Sequence, residues 1–325
     1  MTVTPAVFPL ALFALAQCPL HRAVIVPERR VIVETVGRAP SRDIEFAPDG
    51  ALYSGTSISR DDGRTWTILS DAAGRRAVQL GGPHAIPPAV SREGRVLFAE
   101  ILFDDPGTPL GQGPIAHAVE WNGSEWKILV NPMPEESIQP RFLVTDTTWN
   151  EPEKEPLVLS ADASLGAESL RMAGIEMGAA TSFASALDLT LCVALREPAK
   201  FHLFTLGPPV WRWRPVATPG PVHDLAAGPN GLVYAACDQL GRRIAGGWNW
   251  KQWPPGFQAE HLAADLSRPL LAAWGGDRLV VSRDGGATMR EIEPYGVIFA
   301  AWDPRRTDTL YVLRHTRELA RVTLQ

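Results

Sequence analysis

The sequence predicts an all-β fold in which one four-stranded antiparallel unit recurs along 325 residues. Three observations lead to that prediction. The chain contains 28 glycines and 29 prolines, which leave little room for long helices. An octapeptide of the form Ser-x-Asp-x-Gly-x-Thr-apolar occurs at residues 59–66 and again at residues 282–289. Strand-like phrases interrupted by Pro/Asp/Gly turns begin about 40 residues apart, a spacing typical of four-stranded repeats.

The octapeptide is a turn with defined chemistry, because strand-like residues flank both copies. Its Asp can accept hydrogen bonds from backbone N–H groups that follow it, its Gly tolerates positive φ, and its Thr returns the chain to extended geometry. A large apolar residue then anchors the turn against the sheet. The turn residues are Ser59, Asp61, Gly63, Thr65 and Trp66 in the first copy and Ser282, Asp284, Gly286 and Thr288 in the second. We predict that they serve structure rather than catalysis.

Seven repeat starts predict seven blades. Clear copies open at Asp43 and Asp224, and weaker copies start near Ala85, Phe142, Ala184, His261 and Val297. The last copy offers only three strands, at 297–302, 309–313 and 319–323. Residues 31–36 can supply the fourth, which closes the ring and removes exposed sheet edges. The prediction is a seven-bladed β-propeller closed by an N-terminal strand that pairs with the C-terminal blade.

Other segments carry weaker signals. Residues 123–126 in the second blade and 247–250 in the fifth keep the Gly and the Trp of the octapeptide without its Asp, and we place them in turns between third and fourth strands. Residues 103–114 form a long predicted loop, which we expect to project from the face that carries the channel mouth. Alternating Trp and Arg at 211–214 indicates a strand with both tryptophans on one face. A helix is an alternative only for 168–177.

We expect residues 23–325 to form a single propeller domain, with residues 1–22 as a signal peptide or flexible segment. The apolar run at 6–15 and the small-x-small pattern at 14–16 favour export, hence a secreted, periplasmic or envelope-associated protein. Residues 1–5 contain no Lys or Arg, so a cytoplasmic location is the alternative. Lipidation at Cys18 is a further alternative. The apolar run is too short to span a bilayer.

Composition excludes several classes of function. A formal net charge of −5 argues against a nucleic-acid binder, which normally shows a basic face. The three cysteines have no close spacing, so the sequence offers no Cys-x-x-Cys metal or redox motif. Cys192 and Cys237 fall in apolar strands, where we expect buried free thiols. We predict no cofactor and no bound metal.

The candidate site is the mouth of the central channel, where the first residues of the inner strands converge. Those positions are Arg42, Asp43, His84, Arg141, His223, Asp224, Glu260, His261 and Tyr295. Such a set could bind an anion through its arginines or a divalent metal through its histidines. It could also perform acid–base chemistry if burial shifted the pKa values of its carboxylates. The alternative is that polar strand ends are merely solvated.

The two octapeptides resemble the Asp-box, or BNR, repeat of β-propellers such as sialidases. The repeat architecture resembles that family over the whole chain, but the residues of the motif match only in the two octapeptides. It implies a propeller and little about activity. Sialidases clamp a carboxylate with three arginines and use a Tyr nucleophile with a Glu and an Asp acid/base. Here only Arg42 and Arg141 lie at channel-facing starts, and Tyr295 with Glu260 is the only imaginable nucleophile pair, so the sialidase motifs do not match.

Two functions therefore follow from the sequence. The first is a non-catalytic binding or assembly module that contacts a protein or a glycan through the propeller face and the 103–114 loop. The second is a glycoside hydrolase or lyase that acts on a carbohydrate at the channel mouth. We favour the first, because no catalytic residue set is recognisable.

Overall fold

The computed structural model describes residues 30–80, 88–90, 94–104, 113–130, 140–144, 157–160, 180–185, 191–195, 203–207, 210–244, 247–293 and 296–325. The strands from the first part of the chain are β1 (Val31–Arg38), β2 (Glu45–Phe46), β3 (Leu52–Ser54), β4 (Ser57–Ser59), β5 (Thr67–Ile68), β6 (Arg76–Gln79), β7 (Ala89–Val90), β8 (Val96–Asp104), β9 (Ile115–Trp121), β10 (Trp126–Val130), β11 (Pro140–Val144) and β12 (Leu157–Ser160). Those that follow are β13 (Ala180–Ser185), β14 (Leu191–Leu195), β15 (Leu203–Gly207), β16 (Val210–Val216), β17 (Asp224–Ala227), β18 (Val233–Ala236), β19 (Gln239–Ile244), β20 (Gly247–Gln252), β21 (His261–Ala264), β22 (Leu271–Gly275), β23 (Arg278–Ser282), β24 (Arg290–Ile292), β25 (Val297–Trp302), β26 (Thr309–Arg314) and β27 (Glu318–Leu324).

These strands form seven antiparallel sheets, the blades of a β-propeller. Blade 1 is β2–β5, blade 2 is β6–β10, blade 3 is β11 and β12, blade 4 is β13–β16, blade 5 is β17–β20, blade 6 is β21–β24, and blade 7 is β25–β27 with β1. Contacts between successive blades run around a full circle: β2 with β7, β8 with β11, β11 with β13, β13 with β17, β17 with β21, β21 with β25, and β25 with β2. The predicted seven-bladed propeller is confirmed.

The two ends of the described chain close the ring. Strand β1 pairs antiparallel with β27, from Val31 opposite Leu324 to Arg38 opposite Glu318, with an irregularity between Thr35 and Gly37. The predicted closing strand is therefore present, and it extends two residues beyond the predicted end at residue 36. Closure places blade 1 directly beside blade 7, where Phe46 and Tyr311 meet edge to face with ring centroids 5.1 Å apart.

The hydrophobic core lies between neighbouring blades rather than at one centre. Apolar side chains from the facing sheets of two blades interdigitate, as in the cluster of Trp274, Leu279, Val312 and Ala320 from blades 6 and 7. Each fully buried Leu or Val contributes roughly 1.5–3 kcal/mol of transfer free energy. Cys192 and Cys237 are buried free thiols, as expected. Burial raises the pKa of Cys237 to about 11, which keeps this thiol protonated.

The alternating direction of the strands defines two faces of the ring. Because strands alternate in direction, the hairpins between second and third strands lie at the same end as the connections from one blade to the next. We call this end the upper face. The turns between first and second strands and those between third and fourth strands lie at the lower face. Those predicted mouth residues that the structure describes lie at the upper face.

Three local predictions need correction. The inner edge of blade 2 is split, because β6 and β7 both pair with β8; pairing thus begins at Arg76, ahead of the predicted start near Ala85. Residues 247–250 are in strand β20, not in a turn. Trp248 and Trp250 stack on one face of that strand with centroids 5.5 Å apart, and Gly241 on the neighbouring strand leaves room for the Trp250 ring. Phe103 is a fully buried residue of strand β8, so the predicted loop bounds of 103–114 begin too early.

Regular helix is nearly absent from the part of the chain that the structure describes. Its helical element is a short 3₁₀ turn at Pro229–Gly231, between the first two strands of blade 5. Within the same described residues, no helix is long and apolar enough to cross a membrane. The predicted signal segment 1–22, most of the 103–114 loop and the alternative helix at 168–177 lie outside the described residues.

Candidate functional site

The two octapeptides form the same hydrogen-bonded turn. In blade 1, Asp61 Oδ1 accepts the Thr65 backbone N–H at 2.8 Å, Oδ2 accepts the Thr65 hydroxyl at 2.7 Å, and the Gly63 N–H donates to Ser59 Oγ at 2.8 Å. The corresponding distances in blade 6, from Asp284, Thr288, Gly286 and Ser282, are 2.7, 2.6 and 2.7 Å. The bonds from Thr65 lower the pKa of Asp61 to about 2. Both aspartates are occupied by their own turns.

Both octapeptides also contact the closing blade. Asp62, at φ 65° in the first turn, accepts hydrogen bonds from Arg306 at 2.6 Å and from Arg305 at 3.3 Å, both on the turn between the first two strands of blade 7. Arg283 of the second turn forms an ion pair with Asp308 of blade 7. The two turns thus hold blade 7 from either side by charge pairing. Both turns therefore have a structural role at the closing blade.

The predicted mouth residues of blades 5 and 6 form a hydrogen-bonded seam. Asp224 Oδ1 accepts the Ser182 hydroxyl from blade 4 at 2.7 Å, and Oδ2 accepts the Leu262 N–H from blade 6 at 2.8 Å. Burial raises the pKa of Asp224, although these hydrogen bonds and the nearby His261 oppose the rise. His261 is exposed and stacks on Trp274 with ring centroids 5.4 Å apart. The seam joins three inner strands, so Asp224 has little capacity left for a ligand.

A cleft opens on the upper face where blade 7 meets blade 1. Its volume is about 690 Å³. Three segments build it: the link from β1 to β2, the hairpin between β3 and β4, and the hairpin between β26 and β27. Its basic residues are Arg38, Arg42, His315 and Arg317. The remaining lining residues are Pro40, Ser41, Ser54, Gly55, Thr56, Ser57, Gln79 and Thr316, and none of the described residues that line it is acidic.

The cleft has unpaired positive charge. Arg38 and Arg42 are exposed, and neither guanidinium forms an ion pair or hydrogen bond with the described part of the chain. Arg317 is partly buried and donates from Nη1 to the Pro40 carbonyl at 2.9 Å, which leaves most of its donors for a ligand. Three guanidiniums in one concave site repel one another unless an anion lies among them, and each can hold an oxyanion bidentately.

The cleft walls are tied by backbone hydrogen bonds. The Ala39 N–H donates to the Arg317 carbonyl at 2.9 Å, which joins the β1–β2 link to the blade 7 hairpin. The Thr56 hydroxyl donates to the Ala77 carbonyl at 2.7 Å, which joins the blade 1 hairpin to blade 2. Gly55, at φ 50°, lies so close to Ser41 that an added Cβ would approach the Ser41 Cβ to 3.1 Å. Hydrogen bonds therefore hold together the segments that carry the basic side chains.

Asp43 lies beneath the floor of this cleft. Its Oδ1 accepts the Gly55 N–H at 2.6 Å, and its Oδ2 accepts the Ser41 hydroxyl at 3.3 Å. Burial raises the pKa of Asp43 to about 6, although both hydrogen bonds act against the rise. Glu45, two residues on, is half-buried, and burial raises its pKa to about 7. A hydrogen bond from the Phe46 N–H opposes the rise, and the neighbouring Asp43 charge adds to it.

The sequence predicts only part of the cleft. It identifies Arg42 and Asp43 as site residues but not Arg38, His315 or Arg317. The blade 7 hairpin carries two basic residues in three positions, and this is the sequence signal that points to it. His84 and Tyr295 lie outside the described residues, and Arg141 is described only as backbone of β11. His223 and Glu260 are exposed at the upper ends of blades 5 and 6. Among the described residues, no group of three or more His, Cys, Asp or Glu side chains could hold a metal ion.

No protein-family model matches the chain, and no curated protein matches its sequence. Solved structures share its fold. Virginiamycin B lyase from Staphylococcus aureus is 13% identical, with a TM-score of 0.52 over 92% of this chain and 100% of that chain. YCF48 from Cyanidioschyzon merolae is 14% identical, with a TM-score of 0.56 over 90% and 98%. The Cps50 (Swd1) β-propeller domain from Myceliophteria thermophila is 14% identical, with a TM-score of 0.51 over 91% and 100%.

YCF48 is also known in a complex with D1 peptide, and that structure is 16% identical to this chain, with a TM-score of 0.51 over 93% of this chain and 97% of that chain. At these identities the similarity shows a β-propeller fold and nothing finer. The similar structures include both a lyase and a propeller seen with a bound peptide. The fold therefore leaves the choice between catalysis and binding to the site itself.

Proposed function

We propose that this protein is a non-catalytic binding module that captures an acidic segment of a partner protein in the cleft between blades 7 and 1. The observation that carries the proposal is the convergence of Arg38, Arg42 and Arg317 without an acidic residue among the described lining. Carboxylates are the natural ligands of such a set, because guanidinium groups bind them through paired, charge-assisted hydrogen bonds.

Shape and charge support a peptide. A volume of about 690 Å³ falls in the range of sites that enclose a ligand the size of a few amino-acid residues. The Thr316 hydroxyl adds a neutral donor beside the arginines. The whole chain carries a net charge of −5, so the cleft is a local positive region on an acidic protein. Local fields of this kind steer acidic partners to one place. A similar fold, YCF48, has been seen with a bound peptide.

The alternative of a hydrolase or lyase has less support. Asp43 accepts hydrogen bonds from Gly55 and Ser41, and Asp224 accepts them from Ser182 and Leu262. Carboxylates held in this way position backbone segments and are not aimed at a cleft. A glycan partner would need charged groups of its own, such as uronates, to use the arginines.

Direct binding assays test the proposal. Fluorescein-labelled hexaglutamate, a neutral hexaglutamine control and an oligouronate are titrated into the protein at low salt. We expect hexaglutamate to bind, hexaglutamine to fail, and Arg42→Glu or Arg38→Glu to weaken binding at least tenfold. Arg60→Glu is the matched control, because Arg60 is an exposed arginine of the lower face with the same charge change. An equal loss of hexaglutamate affinity in Arg60→Glu would reject the cleft as the binding site. Preferential binding of the oligouronate would indicate that the partner is a glycan and not a peptide.

Two finer statements belong to the same proposal. We propose that the two octapeptides mark an Asp-box repeat propeller, because residues, turn geometry and position between third and fourth strands all agree. We also propose that the protein is exported, on the strength of the apolar segment at 6–15 and the small-x-small pattern. The amino-terminal sequence of the protein purified from its host tests export. A mature terminus near residue 17 is expected, and an intact Met1 would contradict it.

A further inference from the structure

We propose that Asp43 sets the affinity of the cleft, because it positions the cleft floor and takes up a proton when an anion binds above it. This inference rests on the proposed function. It identifies a positioning residue whose contribution differs from those of the arginines. The arginines attract the ligand directly, whereas Asp43 acts on it through the floor and through its own charge.

The positioning part follows from hydrogen bonds. Asp43 is only 3% exposed and bonds two lining residues that come from different segments, Gly55 of the blade 1 hairpin and Ser41 of the β1–β2 link. The Ser41 N–H in turn donates to the buried Ser54 Oγ at 3.0 Å. Arg42 lies between Ser41 and Asp43 in the chain, so its backbone is fixed on both sides. A change in the protonation or position of Asp43 therefore acts directly on these lining residues.

The second part of the proposal, the effect of the Asp43 charge on a bound anion, follows from electrostatics. An anion in the cleft is attracted by the guanidiniums and repelled by an ionised Asp43, and a buried pair is poorly screened by salt. The charged and titratable groups on the Asp43 segment are Arg42 and Glu45, and those that line the cleft above it are Arg38 and Arg42 together with His315 and Arg317 from the blade 7 hairpin. Binding and protonation must favour each other by the same factor, because the coupling is reciprocal.

The pKa of Asp43, about 6, places this coupling in an accessible range. Above that value Asp43 is ionised and opposes the ligand. Below it Asp43 is neutral, and the arginines act without opposition. We therefore expect affinity to rise as pH falls from 7.5 to 5. His315 also lines the cleft, so the experiment includes a variant of each residue.

The probe is 8-aminopyrene-1,3,6-trisulfonate, whose sulfonates stay ionised throughout this range. Its affinity is measured by fluorescence anisotropy from pH 5 to pH 8 for the wild type, Asp43→Asn and His315→Gln. Asn retains an acceptor for the Gly55 N–H and removes the charge. We expect wild-type affinity to increase about fivefold on acidification. Asp43→Asn should bind more tightly than wild type at pH 7.5 and lose most of the pH dependence, while His315→Gln should keep the wild-type slope.

Each outcome has a defined meaning. An unchanged slope in Asp43→Asn, or a flat profile in His315→Gln, would overturn the assignment to Asp43. If Asp43→Asn does not fold, calorimetry of the wild type at pH 6.5 in two buffers of different ionisation enthalpy measures proton uptake on binding, and zero uptake would overturn it equally. Absence of dye binding at every pH, together with absence of hexaglutamate binding, would instead reject the cleft itself and this inference with it.

Discussion

Arg306 and Asp62 join the last blade to the first across 244 positions of sequence, with Nη2 lying 2.6 Å from Oδ2. Arg321 of β27 and Arg305 approach the same carboxylate, at 3.4 and 3.3 Å. The Asp62 side chain is only 14% exposed, so three positive groups share one shielded negative charge. Asp303 also pairs with Arg305 and Arg306, and Glu34 pairs with Arg321. Ring closure therefore has an electrostatic component beside the β1–β27 hydrogen bonds.

Removal of that charge should loosen closure. Asp62→Ala leaves three arginines without their shared partner, and we expect a loss of about 2 kcal/mol in the free energy of unfolding. Arg60→Ala is the control, because Arg60 forms an exposed pair with Asp49 at 3.4 Å and its loss should cost about 0.5 kcal/mol or less. Urea denaturation measures both. Equal effects would show that the Asp62 cluster adds nothing to closure.

The octapeptide aspartates should affect stability and leave ligand binding unchanged. Asp61→Ala removes the acceptor for two Thr65 donors, and Asp284→Ala does the same to Thr288, so both variants should unfold a few degrees lower. Asp61→Asn should be milder, because Asn122 closes the corresponding turn of blade 2 through its Oδ1. Thermal unfolding and hexaglutamate titration check this. Loss of binding without loss of stability would return these residues to a functional role.

The effect of Asp61 should vanish in acid. Its pKa is lowered to about 2 in the folded protein, so its contribution is present above the unfolded value near 3.8 and is lost as pH falls towards 2. The difference in unfolding midpoint between wild type and Asp61→Ala should therefore shrink below about pH 4. A difference that stays constant down to pH 2.5 would contradict the hydrogen-bond account.

Glu45 should give the opposite pH dependence. Its pKa rises to about 7 in the folded protein from an ordinary value of 4.5, so the folded state binds the proton more tightly than the unfolded chain. That stability is fully present below about pH 4.5 and is lost as pH rises through 7. Between pH 8 and pH 5 the wild type should gain on the order of 1 kcal/mol relative to Glu45→Gln. Denaturation at both pH values measures the gain, and parallel curves would contradict it.

Substitution of Arg317 should weaken ligand binding and leave the stability of the fold nearly unchanged. It has φ 63°, a conformation that favours glycine, so Arg317→Gly relieves backbone strain while it removes the Pro40 hydrogen bond. These effects oppose each other, and we expect stability to stay within about 1 kcal/mol of wild type. Hexaglutamate affinity should nevertheless fall at least fivefold, and Arg317→Lys should retain part of it. A variant that binds normally would remove Arg317 from the site.

The fold was predictable because its signals are local. The octapeptide defines a turn within eight residues, and alternating apolar residues define the strands beside it. Closure was also predictable, since three strands at 297–323 lacked a fourth and residues 31–36 offered one. The misplacement of 247–250 has a physical reason: Trp248 and Trp250 fill the seam between blades 4 and 5 as strand residues, although their spacing from Gly247 mimics a turn.

The cleft was only partly predictable because ring closure assembles it. Arg42 was identifiable from its position before an inner strand. Arg38 and Arg317 lie 279 positions apart and meet only because β1 pairs with β27. Nothing local in either segment reports the other. The raised pKa of Asp43 likewise depends on its burial by the Gly55 hairpin, a tertiary contact that no sequence pattern marks.

Arginine footprinting tests the anion cleft most directly. The protein is treated with phenylglyoxal with and without saturating hexaglutamate, and modification of each arginine is quantified by peptide mass spectrometry. Arg38, Arg42 and Arg317 should be protected by the ligand, while Arg60 on the lower face should react equally in both samples. Binding of hexaglutamate without protection of these three residues would contradict the account.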